Sequence, residues 1–587
     1  MKSNNPMLFL YSAFWKFSKS NHKKVIIYTI LSIIANTVLI ISPLLISQIL
    51  NLIQASGVNE SNIFTIISLL GFYLVLDILF WLFHWPSRVI ERENAFIVRA
   101  NYKEFLMKNI AMLPVSWHAE NHSGDINDKI DKSSNALFLF SGDTFTIIGP
   151  TISFILSIIM LLFIYPASII IIFPIFLIAI FVSMKFDKIL IKQYTQLNKS
   201  ENHIAEKIID ALTNIFTVII LRIERQVNKS INLAINSPKN VYYENIKLNE
   251  TKWMCMSILG ASMVLLVLSL YLFNSLLSGV ILIGTIYLLF DYSQKIRNIF
   301  YQFTLRYGIL TQQMTAVKNI DPIITAFEKK KKVKRFKLND WKQIRIKGLN
   351  FSYYRDNKEN DDDLHLNKVS FNIDNGERIA FVGESGSGKS TMLKLLRGLY
   401  TPNKGEVFVD DFHLKNFFKQ INYKISLIPQ EPEIFKNTIK YNITLGAKYR
   451  KDHIDEVCKL ACFDKIVNKL PQNYETNVGE KGAKLSGGEK QRLALARGIL
   501  ASENKEIILL DEPTSSIDAE NELIIYNNLF KKFDEKTIIS TIHRLHLLHL
   551  FDRIVFFKNG RIIAIGTLNE VLENPDFKAL WDKSRSK

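Results

Sequence analysis

Cysteine is scarce in this sequence. Three in 587 residues, at positions 255, 458 and 462, are too few to build a disulfide framework, which excludes a small cross-linked secreted fold. Glycine (24) and proline (15) are also sparse, so the chain is neither collagenous nor of low complexity. Acidic residues are outnumbered, 55 Asp and Glu against 73 Lys and Arg, leaving a balance of +18. That excess suits nucleic acid or the anionic face of a membrane, and the placement of the charges decides between them. Long apolar runs are missing beyond about residue 310, so the 48% apolar content averages two unlike parts.

The first part reads as a membrane domain. Runs at about 25–53, 63–85, 143–164, 167–187, 253–276 and 280–310 are each of the order needed to cross a ~30 Å hydrocarbon core. The first is far longer than the ~7–15-residue apolar region of a signal peptide. Lys16, Lys19, Lys23 and Lys24 precede it, and the two long connections, about 88–141 and 185–252, are rich in Lys and Arg. The short links between spans carry almost none. By the positive-inside rule, the N-terminus and both long connections face the cytoplasm. Residues 6–17 read as an interfacial amphipathic helix. The connections keep a helical apolar period, so the spans are expected to continue as cytoplasmic helices that turn near 117–128 and 210–217. Asp77 and Asp291 fall inside spans. For Asp77 a structural hydrogen bond is expected. Asp291 either marks a substrate cavity or neutralises itself against Lys295 one turn on.

The second part reads as a soluble nucleotide-binding domain of α/β type. A basic stretch, EKKKKVKRFK, precedes it and suits a juxtamembrane segment near anionic lipid better than a nucleic-acid patch. After the strand-like ERIAFVG comes GESGSGKS and then a helical pattern, the context of a P-loop. Gly383, Glu384, Ser385, Gly386, Ser387 and Gly388 would curl so that backbone N–H groups meet phosphate, with Thr391 opening the helix behind them. Lys389 supplies a charge to the β- and γ-phosphates, and Ser390 a hydroxyl for Mg²⁺. A second strand, IILL, ends at Asp511 and Glu512, suited respectively to the Mg²⁺ shell and to polarising an attacking water.

Between these strands lies LSGGEKQR. Its Leu485, Ser486, Gly487, Gly488 and Glu489 resemble the signature of ATP-binding cassette (ABC) proteins. Other pieces of that family's pattern occur in order: Tyr353 as the aromatic that stacks on adenine, Gln430 as the Q-loop, Glu480 in an exporter-type X-loop, Asp518 as the D-loop and His543 as the switch histidine. Six spans before one cassette resemble an exporter-type half-transporter. The fold class implied is an all-α six-helix transmembrane domain (1–320), a linker (321–342) and an α/β P-loop NTPase cassette (343–587).

The resemblance implies catalytic roles for Glu512, His543, Gln430 and Lys389, ATP and Mg²⁺ as cofactors, and Ser390, Gln430 and Asp511 around the metal. It also implies a second half-transporter as partner, with a homodimer expected, because each signature segment would complete the other chain's ATP site. The two cytoplasmic turns would be coupling helices seated on the cassettes near Gln430. The expected function is ATP-driven export of an amphipathic or hydrophobic molecule (lipid, drug-like compound or peptide) across the cell membrane by alternating access. The N-terminus and cassette would be cytoplasmic, with membrane lipid as surroundings and no nucleic acid as partner. An importer on the same scaffold, or an ATP-gated membrane regulator, is the alternative.

Overall fold

The computed structural model describes residues 5–121, 123–328, 334–338, 340–353, 364–479 and 482–585. His122, Glu480 and most of the lysine run at 329–333 lie outside them. The chain divides into two units, one of Met1–Leu113 with Trp117–Lys330 and one of Pro114–Ser116 with Lys331–Lys587.

The first unit is entirely helical. Its elements are α1 (Pro6–Phe17), α2 (His22–Leu39), α3 (Ser42–Ser56), α4 (Ile63–Ile110), α5 (Val115–Glu120), α6 (Ser123–Gly142), α7 (Phe145–Ile164), α8 (Ile169–Thr213), α9 (Ile215–Ile220), α10 (Glu224–Asn236), α11 (Lys239–Ser278), α12 (Ile283–Lys318) and α13 (Asp321–Glu328). Asn5 caps α1, accepting from the Met7 and Leu8 N–H groups, and Phe9, Leu10, Phe14 and Phe17 bury its inner face. The helices α4, α8 and α11 run 48, 45 and 40 residues, well beyond a bilayer's needs, so the connections extend the spans as expected.

Several expectations are corrected. The first run is not one helix but two, interrupted at Ile40 and Ile41, because Pro43 lacks an N–H and its ring opposes the preceding turn. The expectation of six spans stands: five stretches of the described residues are long and apolar enough by composition alone to cross a membrane, and the sixth, on α12, is one continuous helix that also carries Asp291, Lys295, Arg297 and Arg306. The first turn ends at Ser123 rather than 128, and the second centres on α9, after Thr213. Residues 321–328 are not linker: α13 is a helix whose Ile323 joins Ile320 and Val317 in the core of this unit. Likewise Leu338 and Trp341 are buried in the second unit. Asp77 makes no hydrogen bond among the described residues; it sits on the outward face of α4 beside exposed Tyr73, Leu74 and Trp81.

The second unit has two sheets. An antiparallel one has order β2 (Leu366–Asp374), β1 (Gln343–Phe351), β4 (Lys404–Val409), β5 (Phe412–His413). The other has order β10 (Arg561–Gly566), β9 (Arg553–Lys558), β3 (Arg378–Gly383), β8 (Thr537–Thr541), β7 (Ile507–Asp511), β6 (Ile425–Ile428). From β9 to β6 neighbours are parallel, with Phe381 opposite Thr541 and Thr541 opposite Asp511. β7 is buried along its length, as the apolar run IILL requires of a strand covered on both faces. Around the sheets lie α14 (Lys389–Leu396), α15 (Ile439–Thr444), α16 (Lys451–Leu460), α17 (Asp464–Lys469), α18 (Gly487–Ser502) and α19 (Ala519–Lys532). Because β3, β8 and β7 are adjacent and parallel, their carboxyl ends deliver the loops after Gly383, Thr541 and Asp511 to one place, where open α/β sheets bind ligands.

Candidate functional site

The loop after β3 is shaped by glycine. Gly383 and Gly388 have φ of +151° and +106°; a Cβ on the first would lie 2.2 Å from the Phe557 carbonyl oxygen, and on the second 2.7 Å from the Leu366 side chain. No other residue fits there. Inside the loop, the Lys389 ammonium donates to the carbonyls of Gly383 (2.8 Å) and Glu384 (2.9 Å), while Ser387 Oγ is buried with no partner among the described residues. Glu384 and Ser385 are exposed at the rim. Burial holds the Lys389 ammonium below its ordinary pKa, and the carboxylates of Glu512 and Asp511 oppose that shift.

The two carboxylates at the end of β7 point to different partners. Asp511 Oδ1 accepts from Ser390 Oγ at 2.8 Å and from Thr541 Oγ1 at 3.0 Å. Glu512 turns away through a left-handed backbone (φ +45°), its N–H bonded to Thr541 Oγ1 at 2.8 Å. Its carboxylate lies 2.5 Å from His543 Nε2 and accepts from Gln430 Nε2 at 2.7 Å. Three segments, the ends of β6, β7 and β8, thus meet on one carboxylate. Sequence reasoning missed Thr541, which braces both acids; only the β7–β8 register, unseen in a linear reading, brings it there.

Tyr353 stands at the edge of the same loop. Its hydroxyl lies 3.4 Å from Thr391 Oγ1, and its ring meets Phe351, His365 and Tyr400 edge-on at 4.8–5.1 Å. Burial pushes its hydroxyl pKa up. Tyr400 and His365 were likewise missed, being aromatic neighbours distant in sequence.

Leu485 is buried, and Ser486 caps α18: its hydroxyl accepts the Glu489 N–H at 3.4 Å while the Glu489 carboxylate accepts the Ser486 N–H at 2.8 Å. Among the described residues no hydrogen bond joins this segment to the P-loop residues. Gly488 packs so closely on the Ser516 carbonyl that a Cβ would lie 2.7 Å from it, with Gly487 alongside. Asp518 caps α19, and the Asn521 N–H and side chain hold its carboxyl below the usual range. In the helical unit Asp291 pairs with Lys295 at 2.9 Å. Of the two, Lys295 lines a cavity beside Asn36, Asn298 and Gln302, and Asp291 is not among that cavity's lining residues.

The oxygen donors of Ser390 and Asp511, 2.8 Å apart, fit a hard divalent cation such as Mg²⁺. The glycine-walled loop, with a buried unpartnered hydroxyl and an ammonium inside it, fits a polyphosphate.

Comparison with known proteins gives a consistent picture. The family described as ABC transporter transmembrane region matches residues 25–294, and the family ABC transporter matches 366–515. ABC transporter B family member 14 of Arabidopsis thaliana is 38% identical over 232 residues, 39% of this chain and 18% of that protein. The first curated relatives are matched over less than a fifth of their length (18%, 18% and 16%). Multidrug resistance-like ATP-binding protein MdlB of Buchnera aphidicola is 27% identical over 581 residues, covering 97% of this chain and 96% of its own. Among solved structures, one titled as a bacterial Atm1-family ABC exporter with ATP bound superposes with a TM-score of 0.82 at 21% identity, over 96% of this chain and 99% of that one.

Proposed function

The chain belongs to the ABC transporter family, with the build of an exporter-type half-transporter, and from that premise we propose that it hydrolyses ATP to move an amphipathic or hydrophobic molecule out across the cell membrane. The observation that carries the reading is the grip of Gln430 and His543 on Glu512, beside Lys389 and Ser390.

In the proposed reaction the curled loop and Lys389 hold the β- and γ-phosphates, and Tyr353 offers its ring to the base. Glu512 takes the proton of the attacking water. Gln430 and His543 keep that carboxylate aimed. Ser390, Asp511 and Gln430 would hold Mg²⁺, which supplies positive charge to the phosphate oxygens. Ser486, Gly487 and Gly488 face a second copy's nucleotide, so the active form is a dimer, expected to be a homodimer because this chain holds a full residue set. Leu212, Phe216, Ile219, Ile220 and Leu221 support that partner: they stand exposed around α9, an apolar tip of the kind that association covers.

The substrate class rests on a cavity of about 330 Å³ in the helical unit, walled by Ile147, Pro150, Phe154, Phe176 and Phe300 with Arg306 at its polar side. The MdlB relative's name refers to multidrug resistance, which agrees with a drug-like cargo. Alternating access, with N-terminus and cassette in the cytoplasm, completes the proposal; Lys16, Lys19, Lys23 and Lys24 support that orientation. The test is ATP turnover by the full chain in lipid nanodiscs. Glu512→Gln should retain ATP binding and lose about 10²–10⁴-fold in kcat; turnover at the wild-type rate would refute the role of Glu512.

A further inference from the structure

Gln491, on α18 beyond the signature segment, is buried, with 7% of its surface exposed. Its amide bonds two other stretches of chain to that helix. Nε2 donates to Ser515 Oγ at 2.7 Å and, at 3.4 Å, to the Gln430 carbonyl; Oε1 accepts the Ser516 backbone N–H at 2.8 Å. The orientation of the amide is fixed, since a backbone N–H can only donate and must face the oxygen.

Each partner bears on Glu512. Gln430 is the residue whose side chain holds the Glu512 carboxylate, and Ser515 follows Glu512 by three positions, with the Ser515 N–H pointing back to the Glu512 carbonyl at 3.3 Å. The helix that carries Gln491 also carries Ser486, Gly487 and Gly488 at its N-terminus, and Gly488 abuts the Ser516 carbonyl. The 515–516 segment is therefore gripped twice by α18, once by a glycine contact and once by the Gln491 amide. Arg497, further along α18, donates to the Glu433 carbonyl at 2.8 Å, so the stretch after Gln430 is tied to the same helix.

We propose that Gln491 is a positioning residue that couples the two ATP sites of the dimer: it transmits a displacement of the signature segment, engaged on the partner's nucleotide, to Glu512 of its own site. This rests on the ATPase reading given above. A capped helix moves as a rigid rod, so a shift at Ser486 carries Gln491 with it. The Ser515–Ser516 segment and the Gln430 carbonyl then follow, and with them the backbone that carries Glu512 and the residue whose side chain holds its carboxylate. A bistable element biased from both sides is the physical content of such coupling.

The test uses the full chain in nanodiscs, with ATP turnover followed against ATP concentration. Gln491→Glu keeps the size and the oxygen facing Ser516 but cannot donate to the Gln430 carbonyl; Gln491→Met removes every polar contact without adding charge. Both should lower kcat by about 2- to 30-fold while leaving KM within about twofold, and should bring the Hill coefficient for ATP from above 1 towards 1. Because a buried carboxylate facing the Gln430 carbonyl is itself costly, Gln491→Glu is expected to melt below wild type, and the uncharged Gln491→Met, whose kcat should fall further than its melting temperature explains, separates function from stability. Wild-type kcat and cooperativity in both variants would overturn the proposal, as would a wild type with a Hill coefficient of 1. A loss of kcat that tracks only a lowered melting temperature in both would also overturn it, leaving Gln491 a packing residue. Failure of the underlying reading is distinguishable: it would show as no ATP turnover by the wild type, or as full turnover by Glu512→Gln.

Discussion

The two units turn different things outward. In the helical unit Phe64, Phe163 and Phe181 point outward, 79%, 82% and 70% exposed, while Glu91, Asn94 and Lys252 are sealed inside. In the α/β unit Ile508, Leu509 and Leu510 are sealed inside β7, and the lysines of α18 and α19 face out or sit half-buried. One chain follows two rules because its halves meet different solvents. Where lipid surrounds the helices, apolar side chains gain little by turning inward, and polar groups must find each other. Where water surrounds the sheet, apolar burial dominates, and the polar groups kept inside, such as Asn442, Ser426 and Ser502, are paired with one another or with backbone.

The inversion can be broken most severely at Lys252. Its ammonium lies 2.6 Å from Asp187 Oδ1, and Ser183 donates to the other carboxylate oxygen at 3.0 Å, so the pair joins α8 to α11 with almost no exposure. Lys252→Met should cost ~3–5 kcal/mol by stranding Asp187, seen as a lower melting temperature in nanodiscs; adding Asp187→Leu should recover most of the loss. A single variant that melts like wild type would contradict the picture of polar glue. In the other unit the matching blow is Leu509→Ala, expected to cost ~2–5 kcal/mol through lost burial and a residual cavity. Phe163→Ala, on the outward face, should change the melting temperature by less than about 0.5 kcal/mol would. A loss comparable to that of Leu509→Ala would place Phe163 in a packed interface instead.

The smallest effect is a silence. Burial pushes the Cys458 thiol up to about 12, and a raised pKa keeps it protonated at every pH below that value. Since the thiolate is the reactive form, only ~10⁻⁴ of it is available at pH 8. Mass spectrometry after native alkylation at that pH should find Cys458 unmodified, and modified only after unfolding. Rapid native labelling would mean that the core behind α16 opens.

Much of this was legible in the sequence wherever meaning is contiguous. GESGSGKS needs only its own order to declare a phosphate loop, and the strand that ends at Asp511 and Glu512 declares itself by IILL. Residues whose importance comes from pairing were silent. Thr541 is thirty positions from Asp511, and Gln491 is sixty-one from Gln430, so only the sheet order and the seat of α18 bring them together. Asp77 misled because a span helix, read alone, gives no sign of which face turns outward. The proline at position 43 was visible, but an apolar run long enough to span masked its effect.

That proline has a mechanical consequence. Below the interruption, α2 lies against α4 and α7; above it, Asn51 and Gln54 of α3 take the N–H groups of Gly284 and Ile283 at the head of α12. At the interruption itself, the Tyr292 hydroxyl of α12 donates to the Ile40 carbonyl at 3.0 Å, in the buried interior. A single apolar stretch therefore divides its main contacts, α2 towards α4 and α7 and α3 chiefly towards α12, with the two residues at the joint between them. The phenol works there as a detent: it gives an otherwise free carbonyl one preferred resting angle, and it is the first bond that turning the joint would strain.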